Sequence, residues 1–200
     1  PQYIDLTIDK LVFGGQGFGH HEGKPAFIWN ALPGETVRAL VTKKRKGIIE
    51  AEAKEILAPS PDRLEPTEAH YLSCSPWQIM SLERENGYKV QMAQETYLHL
   101  THLDWPDLQI VSPDQSIGYR NKIEYSFSQT EAGEVCLAFF GRGTKFRRAI
   151  EPCQLAEPVI NQTALYLLDW IRKQQIPLRS LKSLIIRSDG RNQQAIAALF

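Results

Sequence analysis

Ile4, Leu6 and Ile8 alternate with Asp5, Thr7 and Asp9, the period-two signature of a strand with one buried face. Residues 26–29, 35–41 and 48–56 read as further strands, and Leu32-Pro33-Gly34-Glu35 as a turn between two of them. Their spacing predicts a compact, five-stranded, OB-like β barrel over residues 1–58. Residues 59–66 hold Pro59, Pro61 and Pro66 and read as a proline-rich linker, the natural domain boundary. Beyond it the period lengthens. Ser75 suits a helix N-cap, Pro76 its first position and Gln78 a capping box, with the helix running to about Thr101 and bent or broken near Gly87. Val90, Ala93, Tyr97 and Leu100 fall on one of its faces. Strict alternation returns at residues 122–128, where Ile123, Tyr125 and Phe127 are apolar and Lys122, Glu124, Ser126 and Ser128 polar. A turn over residues 130–134 and a strand over 135–140 complete a hairpin. A second helix starts near Pro158 with Ile160, Ala164, Leu167, Leu168 and Ile171 in one apolar stripe, and ends at Pro177. Residues 184–186 and 195–200 form a second hairpin about the turn at 188–192. Residues 67–200 therefore read as an α+β domain. It ends within a strand at Phe200, so the expectation is a fragment of a larger multidomain protein.

Composition narrows the setting. The chain has 200 residues, enough for one large or two small domains, and no apolar run long enough to span a membrane. The start, Pro1-Gln2-Tyr3-Ile4-Asp5, lacks the basic and apolar blocks of a signal peptide, which predicts a cytoplasmic location. Three widely spaced cysteines argue against a disulfide framework. Net charge is zero, but residues 61–118 carry three cations against nine anions, whereas residues 119–200 carry twelve against seven. A neutral total leaves room for a local polyanion-binding face.

Two stretches carry candidate chemistry. The first is the hairpin and its flanks. Arg120, Asn121 and Lys122 precede one strand, and Arg142, Lys145, Arg147 and Arg148 follow the other, in a loop with Gly141, Gly143 and Phe146. Cations at adjacent ends of one rigid hairpin suit phosphates, which guanidinium forks grip without reading sequence; the alternative is an ordinary solvated strand end. The second is the barrel. Lys43, Lys44, Arg45 and Lys46 form a basic tip between two strands, read either as a binding surface or as a solvated turn. Gly14, Gly15, Gly17 and Gly19 are followed by a strand rather than a helix. That argues against a dinucleotide fingerprint and points to a tight barrel turn.

Phe13-Gly14-Gly15-Gln16-Gly17-Phe18-Gly19, Ala31-Leu32-Pro33-Gly34-Glu35 and Pro59-Ser60-Pro61-Asp62-Arg63 resemble a TRAM domain, an OB-like RNA-binding barrel. Tyr119-Arg120-Asn121-Lys122, Phe140-Gly141-Arg142-Gly143 and Cys153-Gln154-Leu155 follow in the order found in the RNA (uracil-C5)-methyltransferases. The resemblance covers essentially the whole chain. It implies a TRAM barrel and a central domain that grip rRNA or tRNA for a catalytic domain using S-adenosylmethionine. The family's chemistry is thiolate attack on C6 of a flipped uracil, methyl transfer to C5 and loss of the C5 proton to a base. Its methyl-donor loop, catalytic cysteine and base would lie beyond residue 200, so the resemblance implies no catalytic residue in this chain and no turnover by it alone. Phe18 and His20 become candidates for stacking on bases, beside the cations named above.

The resemblance also has a departure. Many family members carry an iron–sulfur cluster whose ligand positions map onto Glu65, Tyr71, Cys74 and Cys153, and only the last two are cysteines here. The expectation is no cluster and no metal, with Cys74 and Cys153 as its remnant; a residual zinc site or bridge is the alternative. Two other functions stay open: a stand-alone RNA-binding module without catalysis, and a redox or metal protein built on Cys74 and Cys153. No protein partner is implied.

Overall fold

A computed structural model describes residues 1–142 and 144–200. They form two compact units, residues 1–67 with 75–112 and residues 68–74 with 113–200. The linker predicted at residues 59–66 lies within the first unit, and residues 75–112, expected with the second domain, also pack there.

The first unit is built on β1 (Tyr3–Leu11), β2 (Gly17–His21), β3 (Lys24–Trp29), β4 (Thr36–Arg45) and β5 (Ile48–Ala58), closed as a barrel in the order β1-β2-β3-β5-β4. β3 and β5 run parallel; the other pairs are antiparallel. The alternation read from the sequence is the inside–outside alternation of the wall. Ile4, Leu6, Ile8, Ile28 and Val37 fill the interior with Ala26, Ala39, Ala51 and Ala53, each large aliphatic contributing about 1.5–3 kcal/mol by leaving water. Closure brings β1 and β2 so near that a Cβ on Gly19 would lie 2.4 Å from the Thr7 carbonyl oxygen. Gly19→Ala is expected to destabilise the chain by about 1–3 kcal/mol. An unchanged urea midpoint would contradict that close approach.

The proline-rich segment is fastened to the barrel through Glu35, which is wholly buried. Its carboxylate accepts from the Leu32 amide at 2.8 Å and the Ser60 amide at 3.1 Å. It also pairs with the Arg63 guanidinium, with Nη2 donating to Oε2 at 2.7 Å. Asp62 holds Arg84 and the Tyr88 hydroxyl.

The helix expected from Ser75 begins later: α2 spans Leu82–Thr101. Residues 75–80 form turns instead, burying Ile79 and Met80. The Ser81 hydroxyl caps the helix by accepting from the Arg84 amide, with Glu83 and Glu85 in the first turn to match the helix dipole. No α2 residue is fully buried; Val90 and Ala93 are half-buried, while Tyr97 and Leu100 are exposed.

The second unit is an antiparallel sheet in the order β10-β9-β6-β7-β8. Its strands are β6 (Lys122–Gln129), β7 (Val135–Phe140), β8 (Arg147–Ala149), β9 (Ser183–Ser188) and β10 (Ala195–Leu199). α1 (Tyr71–Cys74) is one turn long, and α3 (Pro158–Lys173) lays Ile160, Ala164, Leu168 and Ile171 on the core formed by Ile123, Tyr125, Phe127, Leu184 and Ile186. β8 was not anticipated. It makes Arg147 and Arg148 strand residues rather than loop residues.

Candidate nucleic-acid interface

In OB-like barrels the β2–β3 face and the loops β1–β2 and β4–β5 are where oligonucleotides lie. The expected barrel residues sit on these parts. The glycine loop is the β1–β2 loop, with Gly14 and Gly15 at positive φ. Phe18 on β2 lies beside Phe27 on β3 and Lys10 on β1 in the strand register. Its half-buried ring meets Phe27 edge-on at 5.3 Å and His20 at 5.1 Å, with the Lys10 ammonium 5.7 Å from its centroid. Phe27 and Lys10 were missed in the sequence, although the strand pairing Phe18 with Phe27 follows once the hairpin register is known. Lys43, Lys44 and Arg45 end β4, and Lys46 and Gly47 make its turn with positive φ at both positions. Lys43 pairs with Glu50 at 3.4 Å. Among the described residues Lys44, Arg45 and Lys46 make no ion pair, and they line an open depression of about 280 Å³ with His21 and Lys24.

The second cationic group gathers at one end of the unit-two sheet. Antiparallel pairing sets Lys122 opposite Arg187, Phe140 opposite Arg147 and Phe139 opposite Arg148. Arg187 was missed: it follows an apolar run and reaches this end only through the β6–β9 pairing. Lys122, Lys145, Arg147 and Arg187 are exposed. Arg147 lies 5.5 Å from the Phe140 ring centroid, and Phe146 is 83% exposed. Lys122, Lys145 and Arg147 make no ion pair among the described residues.

The remaining expected contacts are engaged within the protein. Arg142 Nε donates to the Leu72 carbonyl at 2.8 Å, and burial pushes its pKa down. Arg148 Nη1 donates to the Ala69 carbonyl and Arg120 Nη2 to the Cys74 carbonyl, both at 3.3 Å. Asn121 accepts from the Ser188 amide through its own carbonyl. Gly143 of the predicted motif lies outside the described residues.

The segment these arginines hold carries a further cluster. Glu68, His70 and Cys74 meet Cys153, all buried, with one donor atom from each lying within 4.8 Å of the others. A hydrogen bond from Cys74 pulls the Cys153 thiol well below its usual range, His70 adding to the effect against the opposing cost of burial. A cubane cluster needs four thiolates. Only two are here, since Cys136 lies in β7 opposite Ser128 and outside this group. The donor set does not fit an iron–sulfur cluster.

Residues 2–54 match the TRAM domain model. The chain is 27% identical to the 23S rRNA (uracil(1939)-C(5))-methyltransferase RlmD of Alkalilimnicola ehrlichii over 179 residues. The chain carries a TRAM domain and is homologous to RNA (uracil-C5)-methyltransferases. That alignment covers 88% of this chain and 40% of the relative. An uncharacterised RNA methyltransferase of Bdellovibrio bacteriovorus is 30% identical, over 94% of this chain and 47% of its own length. The chain thus spans less than half the length of these relatives. Among solved structures, the Pyrococcus abyssi tRNA (uracil-54, C5)-methyltransferase in complex with S-adenosyl-L-homocysteine shares the fold, with TM-score 0.66 at 15% identity over 98% of this chain and 45% of that one. The TRAM match falls on the barrel, and motifs read separately in the sequence meet in its clasp, where Glu35 of one pairs with Arg63 of another. No helix among the described residues is long and apolar enough to cross a membrane.

Proposed function

We propose that this chain is the RNA-gripping part of an S-adenosylmethionine-dependent RNA (uracil-C5)-methyltransferase acting in the cytoplasm on rRNA or tRNA. The observation that carries the reading is the TRAM barrel itself, with Phe18 on its β2–β3 face and Lys44, Arg45 and Lys46 in its β4–β5 turn. Stacking on Phe18 and His20 holds an unpaired base, and the barrel tip and the sheet-end cations Lys122, Lys145 and Arg147 hold phosphates. That all three cysteines here are buried supports placing the nucleophile elsewhere. The methyl donor and the attacking thiolate are assigned to sequence beyond residue 200.

Full-length protein supplied with S-adenosylmethionine and rRNA or tRNA transcripts should yield 5-methyluridine, detected by nucleoside mass spectrometry. Residues 1–200 alone should bind the same transcripts and yield none. A full-length protein that binds both substrates yet methylates no uridine would contradict the assignment.

Phe18→Ala should weaken RNA binding by about 1–3 kcal/mol, the range for one base–aromatic stack. Its salt dependence should match wild type, because no charge is removed. An affinity equal to wild type would take Phe18 out of the interface.

A further inference from the structure

We propose that Glu68, His70, Cys74 and Cys153 form a structural zinc site, taking one Zn²⁺ through two thiolates, one imidazole nitrogen and one carboxylate oxygen. Bond lengths of about 2.0–2.3 Å put tetrahedral zinc ligands about 3.3–3.8 Å apart. Cys74 Sγ lies 3.6 Å from Glu68 Oε2, the proposed ligand oxygen, and His70 Nε2 lies 3.2 Å from Oε1, the other oxygen of the same carboxylate. Small side-chain rotations close the remaining edges, none of which exceeds 4.8 Å.

Three features separate this group from a chance meeting of polar residues. First, all four donors are buried, which suits the closed coordination of a structural site rather than the open position of a catalytic one. Second, His70 is 5% exposed and its Nε2, although 3.2 Å from Glu68 Oε1, makes no aligned hydrogen bond, so a metal ion would satisfy a buried nitrogen that the carboxylate alone does not. Third, outer contacts already orient the donors. The Gln154 amide donates to Glu68 Oε1 at 2.6 Å, leaving Oε2 toward Cys74. Asn161 Nδ2 holds the Cys153 carbonyl at 2.9 Å, and Arg120 holds that of Cys74.

The donor chemistry selects the metal. Two thiolates with one imidazole and one carboxylate suit tetrahedral zinc, whereas hard cations prefer oxygen donors. Binding displaces to solvent whatever protons the two thiols still hold, and Zn²⁺ with two thiolates, one carboxylate and a neutral imidazole leaves the site with one net negative charge. The Arg120 and Arg142 guanidiniums, bonded to the Cys74 and Leu72 carbonyls, bring positive charge to the same segment. Glu68, His70 and Cys74 lie on one short segment and Cys153 follows β8, so the ion would staple that segment to the sheet.

The test is metal analysis of purified residues 1–200. Plasma mass spectrometry should find about one zinc per chain. Chelator-stripped protein titrated with Co²⁺ should develop thiolate-to-metal charge transfer and intense visible bands of tetrahedral cobalt, saturating near one equivalent. Cys153→Ser and His70→Ala should each weaken zinc binding at least about tenfold, while Cys136→Ser should keep it. Should a site variant fail to fold, the cobalt titration of the stripped wild type decides the question. Folded wild type that binds neither metal would overturn the proposal. So would a Cys74–Cys153 disulfide, or iron with acid-labile sulfide.

Discussion

Replacing Lys122, Lys145 and Arg147 together by alanine should lower RNA affinity on the order of 10³-fold at about 50 mM salt. Each phosphate contact contributes about 0.7–0.9 to the slope of log affinity against log salt. Three contacts, extended from about 50 mM to the 1 M reference, amount to roughly three decades. All three side chains are exposed and none makes an ion pair among the described residues, so the fold should be unaffected. Fluorescence anisotropy with a labelled transcript reads the affinity, and circular dichroism verifies the fold. The slope itself should become shallower by about two to three. A loss below about threefold would remove the sheet end from the interface. Arg142→Ala is a different case. That guanidinium holds the Leu72 carbonyl, so its removal should lower stability as well as affinity.

Glu35→Ala should cost the barrel about 3–5 kcal/mol, the range for stripping one partner from a buried ion pair. The substitution leaves the Arg63 side chain, only 12% exposed, without its carboxylate. It also orphans the Leu32 and Ser60 amides. At about 2–4 °C per kcal/mol for a chain of this size, the melting temperature should fall by about 6–20 °C. Glu35→Gln keeps the shape and part of the bonding and should cost less, about 1.5–3 kcal/mol. A fall of less than about 1 kcal/mol for the alanine variant would show that the clasp does not hold the barrel closed.

Local periodicity carried most of the strands. Ile4 to Ile8 and Ile123 to Phe127 each write their buried face directly into the chain, as does the α3 stripe from Ile160 to Ile171. Capping residues were less decisive. Ser75-Pro76 and Ser81 are both credible helix starts, and the choice depended on burial of Ile79 and Met80, a tertiary effect. β8 was unreadable because Arg147 and Arg148 are polar, and only pairing with Phe139 and Phe140 makes them a strand.

The site divides along the same line. Its cations and Phe18 stand out as residue types in glycine-bearing loops. Phe27 and Arg187 belong to the same surfaces through strand register, which no local pattern states. Glu35 and Arg63 were visible only as parts of separate motifs, although twenty-eight positions apart they form one buried pair. The Glu68–His70–Cys74–Cys153 group was half visible. The two thiols attracted notice, but Glu68 and His70 were found only when folding brought the segment beside Cys153.

The most direct test of RNA gripping is the affinity of residues 1–200 for a tRNA or rRNA transcript measured across a salt series. Six cations, Lys44, Arg45 and Lys46 on the barrel with Lys122, Lys145 and Arg147 on the sheet, predict a linear fall in log affinity with a slope of about −4. A slope shallower than about −1, or no binding at low salt, would contradict it.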